Sequence, residues 1–178
     1  GKEMIEHGIT GVPKQKVLIL DFGSQYTQLI ARRIREQKVY AEIVPFHHSL
    51  KDIRGEKPSA IVLSGGPSSI YEKGAPQIGR EIFELGVPVL GICYGLCAMV
   101  KNFGGEIEGA SRREYGRAVI ITKGKSLLFK GLKNRETVWM SHGDKVMKLP
   151  KGFAVVASSE NAETAAIAVQ SALTGHLV

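Results

Sequence analysis

Residues 87–105, VPVLGICYGLCAMVKNFGG, constrain the fold more than any other stretch of the chain. An apolar, strand-like run enters Gly91-Ile92-Cys93-Tyr94-Gly95, and a helix-like segment leaves it and stops at Gly104-Gly105. Small residues two positions either side of a cysteine permit a sharp strand-to-helix turn, because larger side chains there would collide across the bend. Such a turn pushes the sulfur outward beside a helix N-terminus, whose partial positive charge favours the thiolate. A buried structural cysteine beside a capping glycine would use the same five residues. The neighbouring segments therefore have to decide.

Those segments alternate. Lys16 to Asp21 reads as a first buried strand, followed by a helix from Ser24 to about Gln37 with Tyr26, Leu29, Ile30 and Ile34 on one face. Val39 to Val44 is a second strand stopped by Pro45, Ser49 to Arg54 a helical turn, and Ser59 to Ser64 a third strand. Ala75 to Leu85 is an amphipathic segment read as a helix, with Ile78, Ile82, Phe83 and Leu85 as its apolar stripe, and the elbow strand follows. Strand and helix in alternation predict a doubly wound α/β fold, its mostly parallel central sheet covered by helices on both faces. In such sheets chemistry sits at the carboxyl ends of the strands. Cys93 lies at one such end, and Gly65-Gly66-Pro67 at another. Paired glycines let backbone N–H groups face a ligand, which suits a phosphate cradle or an oxyanion hole, while Gly-Gly-Pro is also good turn chemistry. No Gly-Lys-Ser/Thr ending follows, so a Walker loop is excluded.

From Gly105 onward the pattern changes. Glu106 to Gly109, Arg117 to Thr122, Thr137 to Met140, Phe153 to Ser158 and Ala165 to Val169 are short β-like pieces between turn residues. They predict a small antiparallel flap appended to the parallel sheet.

The 178 residues suffice for one domain, and 43% hydrophobic with 23% charged content is ordinary for a globular fold. Residues 16–178 are read as that domain, and residues 1–15, which lack periodicity, as an extension outside its core. No apolar run approaches the roughly 18 residues a membrane span needs, so no membrane partner is expected and the cytoplasm is the expected compartment. Cys93 and Cys97, four positions apart, cannot staple distant parts of a fold. The net charge of +7 raises nucleic-acid binding. Yet Arg32-Arg33 with Arg35 and Arg112-Arg113 are each followed by a glutamate and carry no interleaved aromatics, which favours solvated faces and no nucleic acid. His47-His48 has no Cys, Asp or Glu partner at ligand spacing, so no metal site is expected.

Several segments together resemble the class I glutamine amidotransferases, and within them the GMP synthetase branch. The resemblance rests on Asp21-Phe22-Gly23-Ser24-Gln25-Tyr26, Leu63-Ser64-Gly65-Gly66-Pro67, Gly91-Ile92-Cys93-Tyr94-Gly95, Arg113-Glu114-Tyr115-Gly116 and Val138-Trp139-Met140-Ser141-His142-Gly143-Asp144. It implies an amidotransferase-like fold and hydrolysis of glutamine through a Cys93 thioester. Backbone N–H groups of Gly66 and Tyr94 would form the oxyanion hole. Gly65, Pro67, Cys97, Ser141, His142, Gly143 and Asp144 would line the substrate site. It also implies an ATP-pyrophosphatase (synthetase) partner that aminates xanthosine monophosphate with the ammonia. No cofactor is expected in this chain, and ATP and magnesium would belong to that partner, since no Ser-Gly-Gly-Val-Asp-Ser loop is present here.

The sequence departs from the family at two places. The family's base lies in a late His-Pro-Glu segment, and no such segment occurs. His176 is the one candidate near that position, flanked by Thr174-Gly175 and Leu177-Val178 instead of an aromatic and a glutamate. At Cys97 the family carries a glutamine whose amide touches the substrate. These departures raise the alternative of a catalytically impaired or non-catalytic, structural or regulatory amidotransferase-like domain.

Overall fold

The computed structural model describes residues 15–109, 114–123, 130–159 and 162–169. Four strands, β1 (Lys16–Asp21), β2 (Tyr40–Pro45), β3 (Ala60–Leu63) and β4 (Val89–Gly91), form a parallel sheet in the order β2-β1-β3-β4. The chain runs from β1 outward to β2, then crosses back to lay β3 on the other side of β1. That reversal leaves a crevice between the carboxyl ends of β1 and β3, the place where open α/β sheets bind ligands.

Alternate residues of each strand feed two cores. Ile19, Ala41 and Val62 join Ala31 of helix α1 (Thr27–Glu36) on one face. Leu18, Leu20, Ile61, Leu63 and Val89 point to the other, against Ile53 of α2 (Leu50–Glu56) and against Ala98, Met99 and Val100 of α3 (Tyr94–Asn102). Burial on both faces explains why these strands read as nearly continuous apolar runs.

Three expectations need correction here. Helix α1 starts at Thr27, and its inner side is Thr27, Ile30, Ala31 and Ile34, while Tyr26 and Leu29 are 43% and 40% exposed. Ser24 does serve the turn before the helix, where its hydroxyl accepts from the Tyr26 N–H at 3.0 Å. Ala75 to Leu85 is not a helix: its first half has no regular secondary structure, and a single 3₁₀ turn covers Arg80–Glu84. The apolar residues still pack inward, with Ile82 and Phe83 buried and Ile78 and Leu85 against the same core. Carbonyls that a helix would have used are taken by side chains instead. Tyr94 donates its hydroxyl to Pro76, Gln77 its amide to Ala75, and Asn102 its amide to Ile78. Pro76 also disfavours helical geometry at Ala75.

The antiparallel part is larger than a small flap. β6 (Glu114–Thr122), β7 (Arg135–His142), β9 (Phe153–Ser159) and β10 (Ala162–Val169) form a four-stranded sheet in the order β10-β9-β6-β7. β5 (Glu106–Glu108) pairs with β8 (Lys145–Lys148), four residues whose sequence, KVMK, carries no strand periodicity of its own. Phe153 and Ile167 carry the four-stranded sheet into the larger core.

Candidate active site

The elbow forms as its glycines require. A Cβ on Gly91 would lie 2.8 Å from the Gly95 carbonyl and the Leu96 nitrogen, and one on Gly95 would collide with the Leu63 carbonyl. β4 and α3 thus touch backbone to backbone, and α3 touches β3 in the same way. The bend between them falls on Cys93, whose φ of 50° and ψ of −108° lie outside the left-handed helical well that Lys57 occupies. A strained non-glycine residue costs about 1–3 kcal/mol and persists only where the surroundings over-determine it. Here the Ile92 N–H donates to the Leu63 carbonyl at 2.9 Å before the bend, and the Gly95 N–H to the Ile92 carbonyl at 2.9 Å after it. Cys93 is exposed as a result, at the N-terminus of α3, whose first amides have no intrahelical acceptor.

The glycine loop after β3 faces this cysteine. A Cβ on Gly65 would sit 3.4 Å from the Cys93 Cβ and 3.7 Å from the Ser24 hydroxyl. Gly66 is pressed against the turn after β1, where a Cβ would lie 2.5 Å from the Phe22 carbonyl. Ser64, fully buried, fixes both sides: it accepts from the Phe22 N–H at 2.9 Å and donates to the Gly65 carbonyl at 2.9 Å. The crevice at the sheet's reversal point therefore holds a thiol, a helix N-terminus and a glycine backbone within van der Waals reach.

Tyr94, next to the nucleophilic position, is buried and packs on Phe22 with ring centroids 5.3 Å apart. Burial first, and then the charge of Asp144, pushes its phenol up to about 12, so the hydroxyl keeps its proton and donates it to Pro76. Its side chain is an anchor that ties the start of α3 to Phe22 and Pro76. Cys97 is buried one turn along α3, with its thiol 4.0 Å from the Asp144 carbonyl. The Asp144 carboxylate accepts from the Ser69 hydroxyl at 2.8 Å and from the Ile70 N–H at 2.7 Å. Ser141 and His142 are the last residues of β7, opposite Tyr115 and Glu114 of β6, and Gly143 leads into β8. His176 lies outside the described residues.

Among the described residues no three His, Cys, Asp or Glu gather as metal ligands, and no helix is long and apolar enough to cross a membrane. His48 bonds Glu56 at 3.0 Å, and His47 sits edge-on to Phe46. A cavity of about 490 Å³ at the ends of β1 and β2 is lined by Asp21, Phe22, Pro45, Phe46 and His47, and not by Cys93 or the glycine pair. Ser64 and Ser69 are the site residues that sequence reasoning missed. Ser64 could have been found as the polar residue ending a buried strand, whereas Ser69 has no local signal because its partner is 75 residues away.

The profile of the family described as glutamine amidotransferase class-I matches residues 18–174. The chain belongs to that family. The amidotransferase is 55% identical over 152 residues to the glutamine-hydrolyzing GMP synthase of Brachyspira hyodysenteriae, covering 85% of this chain and 30% of that protein. It is 56% identical over 156 residues to the enzyme of the same description from Chlorobaculum tepidum, covering 86% and 30%. It thus spans about three-tenths of the length of these curated relatives. Among solved structures, a protein from Thermoplasma acidophilum assigned as one subunit of a GMP synthase superimposes with a TM-score of 0.80 at 28% identity, covering 93% of this chain and 82% of that one. A Thermotoga maritima glutamine amidotransferase, at 22% identity and a TM-score of 0.72 over 93% of this chain and 74% of that one, shares the fold.

Proposed function

We propose that this amidotransferase hydrolyses glutamine as the ammonia-supplying part of a GMP synthase. The observation that carries the reading is the approach of Gly65, the first residue of the glycine pair, to a strained, exposed Cys93 at a helix N-terminus. In this reading the Cys93 thiolate attacks the side-chain carboxamide carbon of glutamine, forming a C–S bond and a tetrahedral oxyanion. Backbone N–H groups of Gly66 and Tyr94 receive that oxygen. The C–N bond then breaks, the thiol's proton leaves with the nitrogen as ammonia, and a γ-glutamyl thioester remains. Water cleaves the thioester, releasing glutamate and restoring the thiol. His176 is the candidate proton carrier. Gly65, Pro67, Cys97, Ser141, His142 and Gly143 would line the substrate, whereas the Asp144 carboxylate is engaged by Ser69 and Ile70, and Cys97 offers a thiol where the family offers an amide.

Ammonia would pass to a synthetase portion that uses ATP and magnesium to aminate xanthosine monophosphate. The relatives' names and the short span of the match support that assignment. The test is ammonia release from glutamine, by this chain alone and with a GMP synthase synthetase portion added, together with mass spectrometry of Cys93 after an acid quench. A γ-glutamyl adduct on Cys93 and turnover that Cys93→Ala reduces on the order of 10⁴-fold or more are the expected results. No adduct, and no ammonia under either condition, overturns the reading.

A further inference from the structure

Asp144 belongs to the turn between β7 and β8, yet its carboxylate serves the other side of the site. Oδ2 accepts from both the Ser69 hydroxyl and the Ile70 backbone N–H, at 2.8 and 2.7 Å. An oxygen with two donors has both lone pairs engaged, and bonds to an ionised acceptor are roughly twice as strong as neutral ones. Ser69 in turn is built into its own loop: its hydroxyl accepts from the Tyr71 N–H at 3.5 Å and its N–H donates to Glu72 at 3.2 Å. The Asp144 carbonyl meets the Cys97 thiol, one turn after the nucleophilic position. One residue therefore touches the segment leaving the glycine loop and the helix that Cys93 caps.

Upstream, Gly66 is pressed against Phe22, and Ser64 ties Phe22 to Gly65. Beyond Pro67, Asp144 provides the hold on the other side through Ser69 and Ile70. We propose that Asp144 is a positioning residue that clamps the loop after Gly65-Gly66-Pro67, and so sets the Gly66 N–H at the oxyanion position. This rests on the reading of Gly66 as an oxyanion donor. It assigns to the carboxylate a role through the protein rather than on the substrate, and the two roles differ in kinetics.

The test uses this chain with Ser69→Ala, Asp144→Asn and the double variant, probed with a chloroketone analogue of glutamine and with iodoacetamide. The chloroketone's half-saturating concentration reports binding, and its maximal rate of Cys93 alkylation reports support of the oxyanion formed at its ketone. Iodoacetamide reports the thiolate alone. A displaced donor costs less than the 10²–10³ of a deleted one, so Ser69→Ala and Asp144→Asn should each lower the maximal rate about tenfold, with half-saturation and iodoacetamide rates within about twofold. The double variant should be no worse than Asp144→Asn, since both act through one contact. Hydrogen exchange across residues 64–71 should accelerate in all three. A raised half-saturating concentration at unchanged maximal rate would assign Asp144 to substrate binding and overturn the proposal, as would an unaffected Ser69→Ala. Should wild-type Cys93 react with iodoacetamide and not with the chloroketone, the glutaminase reading fails. Hydrogen exchange then decides the clamp by itself, and unchanged exchange overturns it.

Discussion

The parallel and the antiparallel sheets are built from equal numbers of strands and hold their residues very differently. At the centre of the parallel sheet Leu18, Ile19 and Leu20 are within 1% of complete burial, whereas β6, the longest antiparallel strand, leaves Val119 and Ile121 about 40% exposed. The parallel sheet is covered on both faces, and the antiparallel sheet leaves apolar residues of β6 open to solvent. The difference follows the chemistry. Cys93 stores backbone strain, and strain survives only where neighbours leave the chain no alternative. The parallel sheet supplies such neighbours as backbone contacts between β3, β4 and α3. The antiparallel part reaches the loop beside Cys93 through a side chain in the turn between β7 and β8, that of Asp144.

The sharpest way to break this contrast is to add the same methyl group to a glycine in each half. In Gly95→Ala the new Cβ would collide with the Leu63 carbonyl, and neither β3 nor α3 can yield without losing the elbow. The expected cost is about 3 kcal/mol or more in chemical denaturation, with loss of Cys93 alkylation by a glutamine analogue. Gly116 lies in β6 with nothing within 4 Å of a built Cβ. Gly116→Ala should stay within about 0.5 kcal/mol of the parent. Equal costs at the two positions would show that the antiparallel sheet is packed as tightly as the parallel one.

The same contrast explains how much can be read from sequence. β1, β3 and the elbow are legible because burial on both faces writes apolar runs, and because Gly91, Cys93 and Gly95 encode their own bend. The glycine loop is legible as an N–H-rich turn at a strand end. Residues 75–85 mislead because their stripe is apolar at helical spacing, while the conformation is decided by Tyr94 and Asn102, far along the chain, taking the carbonyls of Pro76 and Ile78. β8 escapes notice since its four residues acquire strand geometry only by pairing with β5. The Asp144 contacts with Ser69 and Ile70 are out of reach for the same reason: nothing in either segment names the other. Sequence reading locates the elbow cysteine and the glycine loop, and long-range hydrogen bonds supply contacts that neither segment encodes.

A smaller effect tests whether the parallel half's order depends on side chains as well as on backbone contact. Tyr94→Phe keeps the ring against Phe22 and the backbone N–H at the helix start, and removes the hydroxyl that satisfies the Pro76 carbonyl. A net hydrogen bond contributes about 1 kcal/mol, and the half-buried carbonyl left behind adds to the loss, so the expected destabilisation is about 1–2 kcal/mol. If the oxyanion donor is the main chain, as proposed, alkylation of Cys93 at saturating analogue should fall less than about threefold. A fall as large as that of the clamp variants would make the phenol, rather than the backbone, the functional part of Tyr94.

The smallest expected effect concerns the far edge of the parallel half, where β1, β2 and α2 share a cluster of charges. Lys16 lies 2.8 Å from Glu42 and 3.3 Å from Glu56, and the His48 ring lies 3.0 Å from Glu56. The hydrogen bond from His48, followed by that from Lys16, holds the Glu56 carboxyl below its ordinary value of 4.5. A carboxylate whose pKa is lower folded than unfolded adds stability above about 4.5, and that stability is lost as pH falls through the folded value. The hydrogen bond to Glu42 raises the Lys16 ammonium above 10.5, so its share is present at neutral pH and is lost only as pH rises through the raised value. Glu56→Gln should therefore lower neutral-pH stability by about 1 kcal/mol or less and leave stability below the folded pKa nearly unchanged. Denaturation midpoints measured from pH 7 down to pH 3 should converge for the variant and the parent. Parallel curves over that range would mean that the glutamate acts by packing, and that this edge of the sheet owes its order to apolar contact alone.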